Sequence, residues 1–152
     1  MARREVKATA NEPGLVEYAS QEPSAFAGIL GGLIEANVLA RPEKKQDFDK
    51  LVARVGISAT DIDESVTLAF DAGTLTVYNG LEPKRTITIR ADAETVMSLS
   101  NLKIGILGLP VYYDEVGRGV ALKLLRGKLT IDGLLPHIAT VNRVTRIFSV
   151  QG

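Results

Sequence analysis

Apolar residues along this chain change their period several times, and each change predicts an element. Ser24 stands ahead of Phe26, Ile29, Leu30, Leu33, Ile34 and Val38, the spacing of an amphipathic helix with a serine N-cap. Gly28, Gly31 and Gly32 fall inside it; each weakens the helix by up to about 1 kcal/mol relative to Ala and lets a neighbouring element come close. Arg41-Pro42 ends it. Phe48, Leu51, Val52 and Val55 keep helical spacing, so a second helix is expected over 43–55 with Gly56 as its C′ residue. Residues 57–64, polar and acidic, then read as a connector.

The period next falls to two. Val66, Leu68 and Phe70 alternate over 65–70, and Leu75 and Val77 over 74–78, with Asp71-Ala72-Gly73 as the turn between them. Asn79-Gly80 and Glu82-Pro83 mark a longer turn. Beyond it Ile87 and Ile89 oppose Thr86, Thr88 and Arg90. Connections this short predict an antiparallel meander. At Asp92 the period returns to helical. Its carboxylate is placed to cap, Glu94 sits where the helix dipole favours negative charge, and Val96 and Leu99 share a face with Met97 beside them.

Further on, Leu102 to Pro110 reads as a strand bent at Gly105 and Gly108, and Val111 to Tyr113 as a short strand or packed loop. An apolar segment of this kind serves as a lid, a dimer contact or a sheet edge. A helix is expected from Asp114, with Val116, Val120, Ala121 and Leu124 on or near one stripe and Gly127 at its end. Leu129 and Ile131 then alternate in a strand. Leu134, Ile138, Val141, Val144 and Phe148 form a last helical stripe, with Pro136 in its first turn.

The fold class that emerges is α+β, with helices over one face of a mostly antiparallel sheet. Residues 1–22, polar and with one proline, read as a flexible tail that Leu15, Val16 and Tyr18 could anchor to a neighbouring subunit; 23–152 form a single domain. The 152 residues are 45% hydrophobic but only 5% aromatic, so the core rests on Leu, Ile, Val and Ala. Basic and acidic residues balance at 18 each, which removes any global pull toward nucleic acid or an anionic surface. Cysteine is absent, and with it disulfides and thiol chemistry. The longest apolar run, Phe26 to Leu33, is far short of the roughly 20 residues of a bilayer span. Arg3-Arg4 precede no apolar segment. A soluble, cytoplasmic chain without stable membrane insertion is the expectation.

Little in the chain is arranged for chemistry. Gly117-Arg118-Gly119 is followed by Leu122 where a dinucleotide loop needs Gly, and Gly127-Lys128 lacks the rest of a phosphate loop. His137 is the one histidine. Asp61, Asp63 and Glu64 lack the spaced glycine and closing glutamate of a calcium loop. Ser58, Ser65, Ser98 and Ser100 lie in no nucleophile elbow. No catalytic residue, metal ligand or cofactor is therefore expected.

Two stretches carry a resemblance. Residues 86–99, Thr-Ile-Thr-Ile-Arg-Ala-Asp-Ala-Glu-Thr-Val-Met-Ser-Leu, look like the strand–Asp–helix joint of the sterol carrier protein type-two domain. Residues 119–133, Gly-Val-Ala-Leu-Lys-Leu-Leu-Arg-Gly-Lys-Leu-Thr-Ile-Asp-Gly, are similar to that family's later helix–strand segment. The resemblance spans about residues 65–148. It implies a non-enzymatic domain with a sheet of about five strands and an apolar tunnel between sheet and helices for a sterol, fatty acid or fatty acyl chain. By the same resemblance Val96, Met97, Ala121, Leu124, Leu125, Leu129, Ile131, Leu134 and Ile138 border that tunnel. The partner implied is a lipid, with no nucleic acid. The chain departs from the family in three ways. One convincing strand, not two, precedes 74–79; about 18 residues separate the capped helix from Gly119; and Ser149-Val-Gln-Gly152 is no peroxisomal address. The alternative is an assembly or regulatory protein with a closed pocket, acting through Leu102–Tyr113 as a homodimer or partner interface.

Overall fold

A computed structural model describes residues 14–101 and 115–150. One mixed sheet forms the base, built from β1 (Val16–Tyr18), β2 (Val52–Ala59), β3 (Glu64–Asp71), β4 (Leu75–Asn79), β5 (Ile87–Ala91) and β6 (Thr130–Asp132), in the spatial order β1-β4-β3-β2-β5-β6. Helices α1 (Ala25–Ala40), α2 (Pro42–Lys50), α3 (Ala93–Leu99), α4 (Glu115–Leu125) and α5 (Ile138–Phe148) complete the described elements. The α+β class is as expected; the sheet has six strands rather than five, and the β1–β4 and β2–β5 pairs are parallel.

Alternation sets the inner face. Ala53, Val55 and Ile57 of β2, Val66, Leu68 and Phe70 of β3, Leu75 and Val77 of β4, and Ile87 and Ile89 of β5 are all buried. Phe26, Leu30 and Ile34 of α1, with Phe48 of α2, complete the core, and the Phe48 and Phe70 rings meet edge to face at 6.1 Å. Ser24 caps α1 by accepting from the Ala27 amide at 3.1 Å, and Asp92 caps α3 by accepting from the Thr95 amide at 2.7 Å.

Several sequence expectations need correction. The helix expected over 43–55 stops at Lys50, and Val52 begins a strand. Phe48, Leu51, Val52 and Val55 satisfy a helical period, but Ala53, Val55, Ile57 and Ala59 satisfy a period of two, and the strand wins because Val66, Leu68 and Phe70 pair across from it. That strand is the hairpin partner missing from the sequence pattern, and half of the supposed connector at 57–64 belongs to it and to β3.

The meander also breaks after β4. Residues 80–86 cross the outer face of the sheet, over β3 and β2, and deliver β5 parallel to β2. The reach is ample: three inter-strand gaps are about 14 Å, and the connection can extend to about 24 Å. Thr67 fastens the crossing, donating to the Gly80 carbonyl at 2.9 Å and accepting from the Glu82 amide at 2.8 Å. Arg54 donates to the Pro83 carbonyl and Arg85 to Thr88 and to the Glu82 carbonyl. Gly56 lies under it: a Cβ there would stand 2.6 Å from Arg85 Cδ and 3.0 Å from Leu81 Cδ2. Gly56 is thus a strand residue held small by the crossing, not the end of a helix.

Val16–Tyr18, placed within the expected tail, pairs with Leu75–Val77 in the sheet. Its anchor is intramolecular, with the Tyr18 ring lying where a Cβ on Gly31 would go. Of the three α1 glycines, Gly31 meets a close neighbour, while Gly28 and Gly32 meet none among the described residues. The last helix begins at Ile138, not at Leu134. Pro136 disfavours helical backbone at Leu135, and Gly133 turns the chain at φ +87°, its missing Cβ leaving room for the Thr86 carbonyl. The expected strand and loop over 102–113, the start of a helix at Asp114 and the tail before residue 14 lie outside the described residues.

One end of α5 is held by a polar clasp. Asn37 of α1 donates to the Ile147 and Phe148 carbonyls at 3.1 and 2.9 Å, and Lys44 of α2 donates to the Arg146 carbonyl at 2.5 Å. These carbonyls end the helix and have no intrahelical partners, so their satisfaction from two other helices fixes where α5 stops. Arg146 also grips Asp47 of α2 in a bidentate pair, 2.9 Å on each arm. Burial pushes the Lys44 ammonium below the ordinary lysine range, and the nearby Arg41 adds to the shift.

Candidate functional site: an apolar cavity between sheet and helices

The site is built from the half of the molecule around β5 and β6. Ile87 and Ile89 point from β5 to the inner face, and Ile131 is registered against Ile89 across the β5–β6 pair. Arg90 and Asp132, an exposed ion pair, flank the same pairing. Helices α4 and α5 stand over these strands without closing on them. Between them lies a cavity of about 280 Å³.

Two polar side chains, Asn142 and Thr145, stand among its described lining residues; the rest are Ile, Leu, Val or Ala. No ionisable side chain is among them. Thr145 turns its hydroxyl back to the Val141 carbonyl at 2.8 Å, which leaves the Asn142 amide as the lining group able to donate to an occupant. The walls are positioned from outside the cavity. Lys123 on α4 donates to Thr95 on α3 at 2.6 Å, Gly127 ends the α4 segment at φ +73°, and the clasp holds α5.

Among the residues the resemblance implicated, Ala121, Leu124, Leu129, Ile131, Leu134 and Ile138 line this cavity. Three do not. Val96 is fully buried in the core beneath α3, and Met97 packs against that core. Leu125 is 84% exposed, because one helical step past Leu124 turns it about 100° away from the cavity. Sequence reasoning missed Ile87, Ile89, Leu99, Val120, Val141, Val144 and the polar pair Asn142 and Thr145. The apolar ones had already been read as inward-facing, so the signal was present. Nothing marked Asn142 or Thr145, because a polar residue beside an apolar stripe reads as solvated.

The described residues contain no group of three His, Asp or Glu side chains that could hold a metal ion, and no helix among them is long and apolar enough to cross a membrane. His137, exposed, precedes α5 without a side-chain capping bond.

A six-stranded mixed sheet with helices over an apolar cavity defines a domain of sterol-carrier-protein-like fold. Among solved structures the chain is similar to the UbiJ-SCP2 ubiquinone synthesis protein, at TM-score 0.55 and 18% identity over 80% of this chain and 90% of that one. A Thermus thermophilus protein described as possibly a sterol carrier protein superposes at TM-score 0.47 and 12% identity, over 90% of this chain and 96% of that one. The inverting sec-alkylsulfatase Pisa1 of Pseudomonas sp. gives TM-score 0.46 at 13% identity, over 68% of this chain; the match spans 13% of the sulfatase. No family model and no curated protein matches the chain.

Proposed function

We propose that the protein binds and carries a lipid, taking one aliphatic chain into the cavity between α4, α5 and the β5–β6 edge, and performs no chemistry on it. The observation that carries this is the lining: among the described residues, aliphatic walls with an amide and a hydroxyl and no ionisable group. A cavity of about 150 Å³ lined by Leu, Ile and Phe stays dry and accepts benzene. At about 280 Å³ this one has room, by that ratio, for about ten carbons. That favours a single acyl or prenyl-like chain with its headgroup outside over a fully enclosed sterol. Eight buried methylenes would contribute about 6 kcal/mol before the costs of ordering the chain. The Asn142 amide supplies one directional contact to a polar group near the chain's end, so selectivity is expected to be broad.

The fold similarity to a ubiquinone synthesis protein and the aliphatic lining support the same reading. Mass spectrometry of an organic extract of the purified protein is expected to show fatty acyl or other long-chain lipid in stoichiometric amounts. Extracts free of lipid, together with no uptake of a fluorescent fatty acid at micromolar concentration, would overturn it.

A further inference from the structure

The cavity's apolar walls reach the surface. Leu124 and Ile138 line the cavity yet are 37% and 51% exposed, and Leu125 and Leu135 near them in sequence are each 84% exposed. Leu122, also exposed, shares one side of α4 with Leu125 and Arg118. Single exposed leucines are ordinary; several on one side of a helix and in the turn that follows mark a surface that meets something apolar.

Charge says what. The chain is neutral overall, but residues 115–137 carry Arg118, Lys123, Arg126 and Lys128 against two acids, Glu115 and Asp132. Asp132 is itself paired with Arg90. Arg126 and Lys128 are exposed immediately after Leu125. Leucine tips with cations close behind them match the boundary of an anionic bilayer, where leucines reach the acyl region and cations stay among the phosphates. A second copy of the chain on this face would bring positive charge against positive charge.

We propose that this face, formed by the exposed side of α4 and the turn before α5, docks on the surface of an anionic lipid bilayer. The docking names the surface from which the cavity would load, but it does not depend on the cavity being filled.

The test is co-sedimentation of the full chain with vesicles of phosphatidylcholine, with and without about a third phosphatidylglycerol. The expected result is binding to the anionic vesicles that falls with added salt, with little binding to the neutral ones. Leu125→Glu and Leu135→Glu, at positions too exposed to affect folding, should each bind about tenfold more weakly. Ala121→Trp, which fills the cavity, should still sediment, so a failure of docking and a failure of loading are separable. Absence of binding to anionic vesicles, or binding by both glutamate variants equal to that of the wild type, would overturn the proposal. So would a wild-type dimer in light scattering that Leu125→Glu disperses, since the face would then belong to a second copy.

Discussion

Asn37 is buried with its amide spanning the last two carbonyls of α5. Replacing it by Leu keeps the branched shape but strands those carbonyls, and a buried acceptor left unpaired costs about 1–3 kcal/mol. Asn37→Leu should therefore lower stability by about 2 kcal/mol in urea unfolding, although no charge or active group changes. Asp92 acts at the same scale from a more exposed position. Hydrogen bonds from the Thr95 side chain and backbone hold its carboxyl below the ordinary value of 3.8. A depressed folded-state pKa means that the cap's contribution is complete above about pH 4 and is lost as pH falls through the lowered value. Asp92→Ala should cost about 1 kcal/mol at neutral pH, and the gap between variant and wild type should narrow in acid, as urea midpoints at pH 7 and pH 3 would show.

Among the elements, the 80–86 crossing is the one that a reader of the sequence would not draw. Its length and its Asn-Gly and Glu-Pro pairs suit a hairpin, and only tertiary contacts reveal that it spans the outer face. Thr67 and Gly56 are the residues that betray it, one fully buried with both its hydroxyl functions used, the other without room for a Cβ. Gly56→Val should displace Arg85 and Leu81 and cost about 1–3 kcal/mol, measured by thermal or urea unfolding. The same contrast explains what was legible. The strands over 65–70, 74–78 and 87–91 and the capped helix at Asp92 are local in origin, set by alternation and one side chain. The end of α2 and the start of β2 were not, because Leu51 to Val55 fit both periods and the partner strand decided between them.

At the scale of the whole molecule, the cavity exists because α4 and α5 are supported at their flanks rather than drawn onto the sheet. Lys123 ties α4 to α3, and the Asn37, Lys44 and Asp47 contacts tie the far end of α5 to α1 and α2. Much of the lining was readable as core, since a residue facing a cavity and one facing a neighbour have the same hydrophobic pattern. The volume left between them was not readable, because it depends on where helices are held. Ala121 sits on that wall, half-buried, with space before it. The most direct measurement compares the lipid content of wild type and Ala121→Trp, by mass spectrometry of organic extracts from equal amounts of folded protein. Long-chain lipid is expected with the wild type, and at least about a tenfold loss with the variant at nearly unchanged Tm. Equal lipid content in the two, or none in either together with no fatty acid uptake by the wild type, would contradict it.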